Sequence, residues 1–357
     1  MRTIAIVNQK GGCGKTTSVV SLAGSLALEG GRVLVVDLDP QAHATLALGI
    51  DPDLTEANLY EVLVDEDGAA LLEQVIVEAA PGIDLAPSGI VLSALEQKLA
   101  AERAEARTGR LAGALARLPR SYDWCLIDCP PNVGLLTFNA LRAAGEVIVP
   151  LETSFFAIQG VQKLLETIAL LSERLGHRLD VRILPTLYDG RTRYARDTLA
   201  EIRELFGELC FDTVIRQNVK LREAARRGVP VARFAPWANG AHDYAALALE
   251  LSAAPVCDEE TPSESDTIER RVVVRYREPG ASDVRIAGDF NGWIPDKGVE
   301  SRIDEVDGAR VWTKVLFLRP GTYHYRYVVD GRWSEDPENP RREPGPVGES
   351  TSVLVVH

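Results

Sequence analysis

Three glycines and two lysines fall within eight residues near the start of the chain, Lys10-Gly11-Gly12-Cys13-Gly14-Lys15-Thr16-Thr17. Glycines at that density let backbone N–H groups converge on phosphate oxygens. A helix opening directly after them adds the partial positive charge of its N-terminus. Lys15 is spaced to reach β- and γ-phosphates, and the Thr16 hydroxyl to ligate Mg²⁺. The usual phosphate-loop rule places one more glycine where Gln9 stands, but the groups that do the chemistry are all present. Carboxylates recur at the ends of apolar runs: Asp37 and Asp39 after 33–36, and Asp128 after 125–127. Acidic side chains at such strand ends face the phosphate side of a sheet.

Apolar runs at 4–7, 33–36, 125–127, 147–149 and 183–184 must position these groups. They are continuous rather than alternating, which marks strands covered on both faces. Helical patterns at 17–28, 158–175 and 198–206 lie among them. The alternation predicts an α/β domain with a doubly wound, mostly parallel sheet, whose ligands bind at the strands' carboxyl ends. At 252–266 the text becomes SAAPVCDEETPSESD, acidic and poor in large apolar residues, which reads as a linker. Short β-branched and aromatic segments follow at 271–276, 284–287, 311–317, 322–329 and 352–356, the texture of a small all-β, immunoglobulin-like sandwich. The expected division is therefore 1–251, a linker over 252–267, and 268–357.

Composition narrows the class. With 46% hydrophobic and 25% charged residues in 357, the chain is neither disordered throughout nor collagen-like. Five cysteines without a C-x-x-C pair argue against a disulfide scaffold and for a reducing, cytoplasmic setting. No apolar run approaches the ~20 residues of a membrane span. MRTIAIVNQKGG lacks the design of a signal peptide. The net charge of −13 by itself argues against a general nucleic-acid binder. Any nucleic-acid surface must be a local patch.

The pattern K-G-G-x-G-K-[ST]-[ST] resembles the deviant Walker A loop of the ParA/MinD family of ATPases, and the resemblance extends over residues 1 to about 250. It implies an ATP-sandwiched homodimer in which Lys10 reaches the partner subunit's nucleotide. It implies that Asp39 orients the attacking water and that Asp37 supports the Mg²⁺ shell. Tyr122-Asp123-Trp124-Cys125-Leu126-Ile127-Asp128-Cys129-Pro130-Pro131 resembles the family's Walker B and switch II, so Asp128 is expected to hold Mg²⁺ through water, and Asn132-Val133-Gly134 to sense the γ-phosphate. Asn218 matches a segment that contacts adenine. The loop residues from Lys10 to Thr17 then complete the ATP site. His43 replaces an asparagine frequent in relatives. Cys13, beside two lysines, is either a thiol of lowered pKa or a space-filler.

Two arginine-rich stretches interrupt the acidic average, TLYDGRTRYARD and IRQNVKLREAARRGVP. They resemble the segments that give ParA dimers sequence-independent DNA binding, onto which Arg191, Lys220 and Arg222 map. The alternative is that they are ordinary solvated helix faces. The 268–357 segment, through VRIAGDFNGW, GTYHYRYVVDGRW and DPENP, resembles the carbohydrate-binding module of the AMP-activated protein kinase beta subunit and of isoamylase. Trp293, Arg326 and Trp333 fall at its glucan platform, whereas a platform asparagine is replaced by Thr351. Such a platform works by stacking sugar faces on indole. Tryptophans that merely close the sandwich are the competing reading. The combined expectation is an Mg·ATP-dependent, nucleoid-associated positioning ATPase stimulated by a ParB-type partner, with the module as a cargo or partner adapter. The rival is an ATP-gated regulator of glucan metabolism that ignores DNA.

Overall fold

Apolar residues that do not alternate need cover on both sides, and the N-terminal strands have it. The computed structural model describes residues 1–65, 71–175, 178–253, 270–278, 280–291, 293, 295–296, 299–306, 309–318, 321–344 and 350–356. Seven strands, β1 (Arg2–Ile6), β2 (Val33–Asp37), β3 (Val77–Ala80), β4 (Ile83–Ala86), β5 (Trp124–Asp128), β6 (Glu146–Glu152) and β7 (Asp180–Thr186), form one sheet in the order β3-β4-β2-β5-β1-β6-β7. Every pairing is parallel except that of β3 with β4. Along β1, Ile4 and Ile6 join Leu22 and Leu26 of helix α1 (Lys15–Leu28) in one core cluster. Ala5 and Val7 belong to a second cluster, with Leu141 and Ile168. The doubly wound architecture expected from the sequence is therefore present.

Register brings the chemistry together. Asp128 is the partner of Ile6 on β1 and of Asp37 on β2, so the loops after these three adjacent strands open at one edge. That edge is where ligands bind in such sheets. The helices start earlier than their apolar periodicity indicates, at Lys15, Phe155 and Arg193. At Lys15 and Arg193 the first turns carry polar residues that periodicity does not register. Strands β3 and β4 were not anticipated: VEAA is a short, half-buried edge segment. Ser252 and Ala253, expected in the linker, continue the helix Asn239–Ala253. The rest of that linker, including Cys257, lies outside the described residues, as do Gly292, Arg319 and Pro320.

The chain divides into two compact units, Met1–Val256 and Cys257–His357. The second unit is all-β: β8 (Arg270–Arg277), β9 (Val284–Gly288), β10 (Glu300–Val306), β11 (Ala309–Leu318), β12 (Gly321–Val329), β13 (Arg332–Ser334), β14 (Arg342–Pro344) and β15 (Ser350–Val356). One antiparallel sheet runs β10-β11-β8. The other runs β13-β12-β15-β14, with β9 also paired to β12. Tyr276 of β8 meets Tyr327 of β12 at 4.5 Å between ring centroids, amid Val274, Ile286, Trp312 and Leu316. Residues of β8, β9, β11, β12 and β15 supply this core, as in a sandwich.

Candidate nucleotide and metal site

The glycine loop needs backbone shapes that side chains resist. Gly12 has φ +75° and Gly14, immediately before α1, has φ +98°. A residue with a Cβ is strained in that left-handed region. No side chain caps α1, so its first-turn N–H groups remain directed at the loop. Asn8 braces the loop from below: its Oδ1 accepts the Lys10 N–H at 2.9 Å, and its Nδ2 donates to the Pro150 carbonyl at 2.6 Å. The Cys13 carbonyl accepts from Thr186 Oγ1 at 2.8 Å.

A cavity of about 490 Å³ opens above the loop. Gly11, Gly12, Gly14, Lys15, Thr16 and Thr17 line one side, and Asp39, Gln41 and His43 line the switch side. The far end is made by Leu187, Arg216, Asn218, Arg222 and Tyr244. Lys15 is 8% exposed, with Nζ 3.3 Å from the Lys10 carbonyl, a weak bond that phosphate oxygens can replace. Asn218 Oδ1 accepts the Lys220 N–H at 2.8 Å as a helix cap, and the residue lines the cavity. Lys10 and Cys13 do not line the cavity. Lys10 Nζ is held by Glu152 Oε2, with Ser154 Oγ at 3.3 Å. The Cys13 thiol is buried, and burial pushes its pKa up, opposite to an activated thiol.

The carboxylates divide the remaining work. Thr16 Oγ1 donates to Asp128 Oδ2 at 2.7 Å, while the buried Asp128 Oδ1 has no partner among the described residues. A buried carboxylate oxygen without a donor is costly, and a cation beside the Thr16 hydroxyl would satisfy it. Among the described residues no three acidic, imidazole or thiol groups converge into an all-protein metal cage. One or two carboxylates plus substrate phosphates is the normal arrangement for Mg²⁺, so these residues fit that ion. Asp37 spends both oxygens inward: Oδ1 accepts the Asp39 N–H at 3.1 Å, and Oδ2 accepts Thr45 N and Oγ1 at 2.8 and 2.7 Å. Its Oδ1 thereby fastens the backbone at Asp39. Asp39 Oδ1 accepts the Gln41 N–H at 2.9 Å, its carbonyl accepts Ser88 Oγ at 2.6 Å, and its Oδ2 carries no hydrogen bond among the described residues.

Burial pushes the Asp37 carboxyl up to about 6, with the charge of Asp39 adding to it and the Thr45 donors opposing it. Burial, then the charge of Asp37, pushes Asp128 well above the carboxylate range. A folded-state pKa raised above the unfolded ~3.9 means that the native state holds the proton more tightly. That contribution is full below about pH 4 and is lost as pH rises through about 6. The melting temperature of the metal-free protein is thus expected to carry a term that falls across this window. Asp37→Asn should flatten it in thermal scans at stepped pH, and equal slopes in variant and wild type would refute the assignment.

The arginine-rich segments are exposed but not idle. Arg191 forms a two-pronged pair with Asp189, at 2.8 Å for each bond, and its hydrogen bond holds Asp189 down to about 2. Lys220 Nζ lies 2.7 Å from Glu223. Arg222, expected among the DNA contacts, is exposed and also lines the nucleotide cavity. In the second unit the Trp293 and Trp333 rings lie 6.3 Å apart at 46°, and Arg326 donates to the Trp333 carbonyl at 3.3 Å. Trp293 sits at φ +61°, a strained backbone of the kind that collects at ligand sites. Thr351 is buried and offers no platform contact.

Sequence reasoning missed Glu152 and Ser154 as holders of Lys10, Thr186 as a brace for the loop, and Leu187 and Tyr244 as cavity walls. Thr186 ends an apolar strand at the ligand edge, a signal that was available. Tyr244 reads as ordinary helix core.

The AAA domain family model matches residues 1–181, and the model for the glycogen recognition site of AMP-activated protein kinase matches residues 270–357. The sporulation initiation inhibitor protein Soj of Bacillus subtilis is 38% identical over 253 residues, 71% of this chain and 98% of that protein. The chromosome partitioning protein ParA of Caulobacter vibrioides is 37% identical over 254 residues, 70% of this chain and 94% of that protein. Among solved structures, a Mycobacterium smegmatis protein described as cobyrinic acid a,c-diamide synthase with bound ATP analog and magnesium matches at TM-score 0.62 and 37% identity, covering 71% of this chain and 94% of that one.

Proposed function

The chain belongs to the Soj/ParA family of P-loop ATPases, and from that premise we propose that it is a Mg·ATP-dependent switch that dimerises, holds duplex DNA and releases it on hydrolysis. The observation that carries the nucleotide chemistry is the convergence of Lys15, Thr16, Asp39 and the orphaned Asp128 Oδ1 on one edge of the sheet. Lys15 and the loop N–H groups bind the β- and γ-phosphates. Thr16 and Asp128 hold Mg²⁺, which when bound neutralises phosphate charge. Asp39, anchored by Asp37 and Ser88, presents Oδ2 to orient the water. Asn218 receives the base. Such positioning is most of what phosphoryl transfer asks of a protein.

Lys10 would complete the partner's site, and for that it must leave Glu152. The exchange of one carboxylate for a partner's phosphates keeps dimerisation dependent on nucleotide. Support for DNA as the ligand of the dimer comes from Arg191, exposed, and Lys220, half-exposed, each held by a weak local pair. The test is retention of duplex DNA at physiological salt with ATP, with ADP and with no nucleotide. Intact hydrolysis with no ATP-dependent retention would reject the reading.

A second reading concerns the module. The paired, half-exposed indoles with Arg326 behind them favour a glucan platform, which would make the C-terminal unit an adapter for polysaccharide rather than protein cargo. Full-length protein should pellet with glycogen, and Trp333→Ala should reduce pelleting at least severalfold, since an aromatic contact is worth ~1 kcal/mol or more. Equal pelleting of the two would discard the platform.

A further inference from the structure

The sandwich has an outer face that the glucan platform does not use. On β8 the side chains of Val274 and Tyr276 enter the core, so by alternation Arg271, Val273, Arg275 and Arg277 stand on the opposite face. On β11 the core takes Trp312, Leu316 and Leu318, which leaves Val311, Thr313, Val315 and Phe317 outside. Register aligns these sets: Phe317 opposite Arg271, Val315 opposite Val273, Thr313 opposite Arg275, and Val311 opposite Arg277. From the other flank Arg302 of β10 pairs with Thr313, so Arg275 and Arg302 bracket one row. All four arginines are exposed.

The face is unusual for its chemistry. The unit after Val256 holds 14 basic and 20 acidic residues, so the arginine array runs against its net charge of 14 − 20 = −6. Arg277 pairs with Glu338 at 3.5 Å, whereas Arg271, Arg275 and Arg302 have no partner among the described residues. Glu300 stands on the same face in the row of Val315, and Asp304 holds the register position opposite Val311. Phe317 is 48% exposed and Val273 38%, an apolar strip beside Arg271. Val311 and Val315 are nearly covered although they lie away from the core, as expected where arginine stems lie across a central strand. At ~3.4 Å per residue the array runs ~20 Å along β8, and at ~4.8 Å per strand it is ~10 Å wide.

We propose that this outer face, with Phe317 beside Arg271 and with Arg275 and Arg302 bracketing the row of Thr313 about 14 Å further along the strand, is a binding surface for single-stranded nucleic acid. Unpaired guanidinium groups supply phosphate contacts, and a solvent-facing aromatic ring on a flat sheet supplies a stacking platform for a base. That combination is what sequence-tolerant single-strand binders use. An acidic protein partner would satisfy the arginines and bury Phe317 against an apolar side chain rather than stack it on a base, and competition by poly-glutamate distinguishes the two. The surface is separate from the nucleotide-gated duplex binding proposed for the first unit, and its occupancy does not depend on ATP.

The test uses the nucleotide-free full-length chain and a labelled 20-nucleotide oligo-dT, with affinity followed against salt. Wild type should bind, and Arg271→Glu/Arg275→Glu/Arg302→Glu should bind at least ~10-fold more weakly, with the salt slope reduced by ~2 for three lost phosphate contacts. The corresponding triple Arg→Lys variant should keep the slope. Phe317→Ala should lose ~5-fold or more with the slope unchanged. Addition of ATP should leave oligonucleotide binding unchanged, which separates this surface from the nucleotide-gated one of the first unit. Absence of binding by wild type, or equal binding by the triple Glu variant, overturns the proposal. So does displacement by poly-glutamate at matched charge together with indifference to Phe317→Ala, which would make the face an acidic-protein dock.

Discussion

Asp39→Ala is expected to lower ATP turnover by ~10²-fold or more while leaving ATP affinity within a few-fold of wild type, so that ATP-bound dimers accumulate. The separation follows from where the groups sit. The proposed phosphate contacts come from the loop after β1 and from the start of α1, whereas Asp39 stands on the loop after β2. Its removal takes away Oδ2, the atom offered to water, and the bond to the Gln41 N–H. Asp39→Asn distinguishes these two losses, since an amide oxygen can still accept from Gln41 but carries no charge to orient or polarise water. Both variants should therefore be slow, with the asparagine form retaining more of the loop's shape. Phosphate release in a single turnover measures the chemical step, and a fluorescent ATP analogue measures affinity. If Asp39→Ala turns over within about threefold of wild type, below the ~10²-fold a positioned group normally contributes, Asp39 does not position the water.

The chemistry of the site was easier to read in the sequence than its connections. Glycines at 11, 12 and 14 could hardly serve anything but a backbone-lined turn, and two of them adopt positive φ. Strands β1, β2, β5, β6 and β7 were visible because a strand buried on both faces leaves an unbroken apolar run. The edge strand β3 has a half-buried surface built partly of alanine and leaves no such run. Lys10 and Glu152 are 142 residues apart and meet because β1 and β6 are neighbours, a fact of topology that no local pattern carries. Arg222 illustrates the limit of charge reading. Its cluster marks a basic stretch, but only the packed fold reveals that this arginine, like Arg216, turns to the nucleotide cavity.

That placement decides how DNA binding must be tested. Arg222→Glu would place a carboxylate beside bound nucleotide as well as remove a phosphate contact, so a loss of DNA retention could arise through either route. Arg191 and Lys220 do not line the cavity. Arg191→Glu/Lys220→Glu is therefore the informative variant. In a dimer it reverses four charges, and at a slope of ~0.9 per phosphate contact the salt dependence should fall by ~3 to 4, with affinity at physiological salt down ~10²-fold or more. ATP hydrolysis without DNA should be unchanged. The present partners of these residues do not oppose the role: Asp189 and Glu223 hold them in exposed pairs of the kind that solvent and salt readily exchange. DNA phosphates arrayed along a duplex compete with such pairs by number rather than by strength. A double variant that still binds duplex DNA in the presence of ATP with the wild-type salt slope would place the DNA surface elsewhere. Arg222→Gln then gives the converse control: it removes the charge without adding a carboxylate. A change in ATP affinity without a change in the salt slope would assign Arg222 to the nucleotide. A change in the slope alone would return it to the DNA surface.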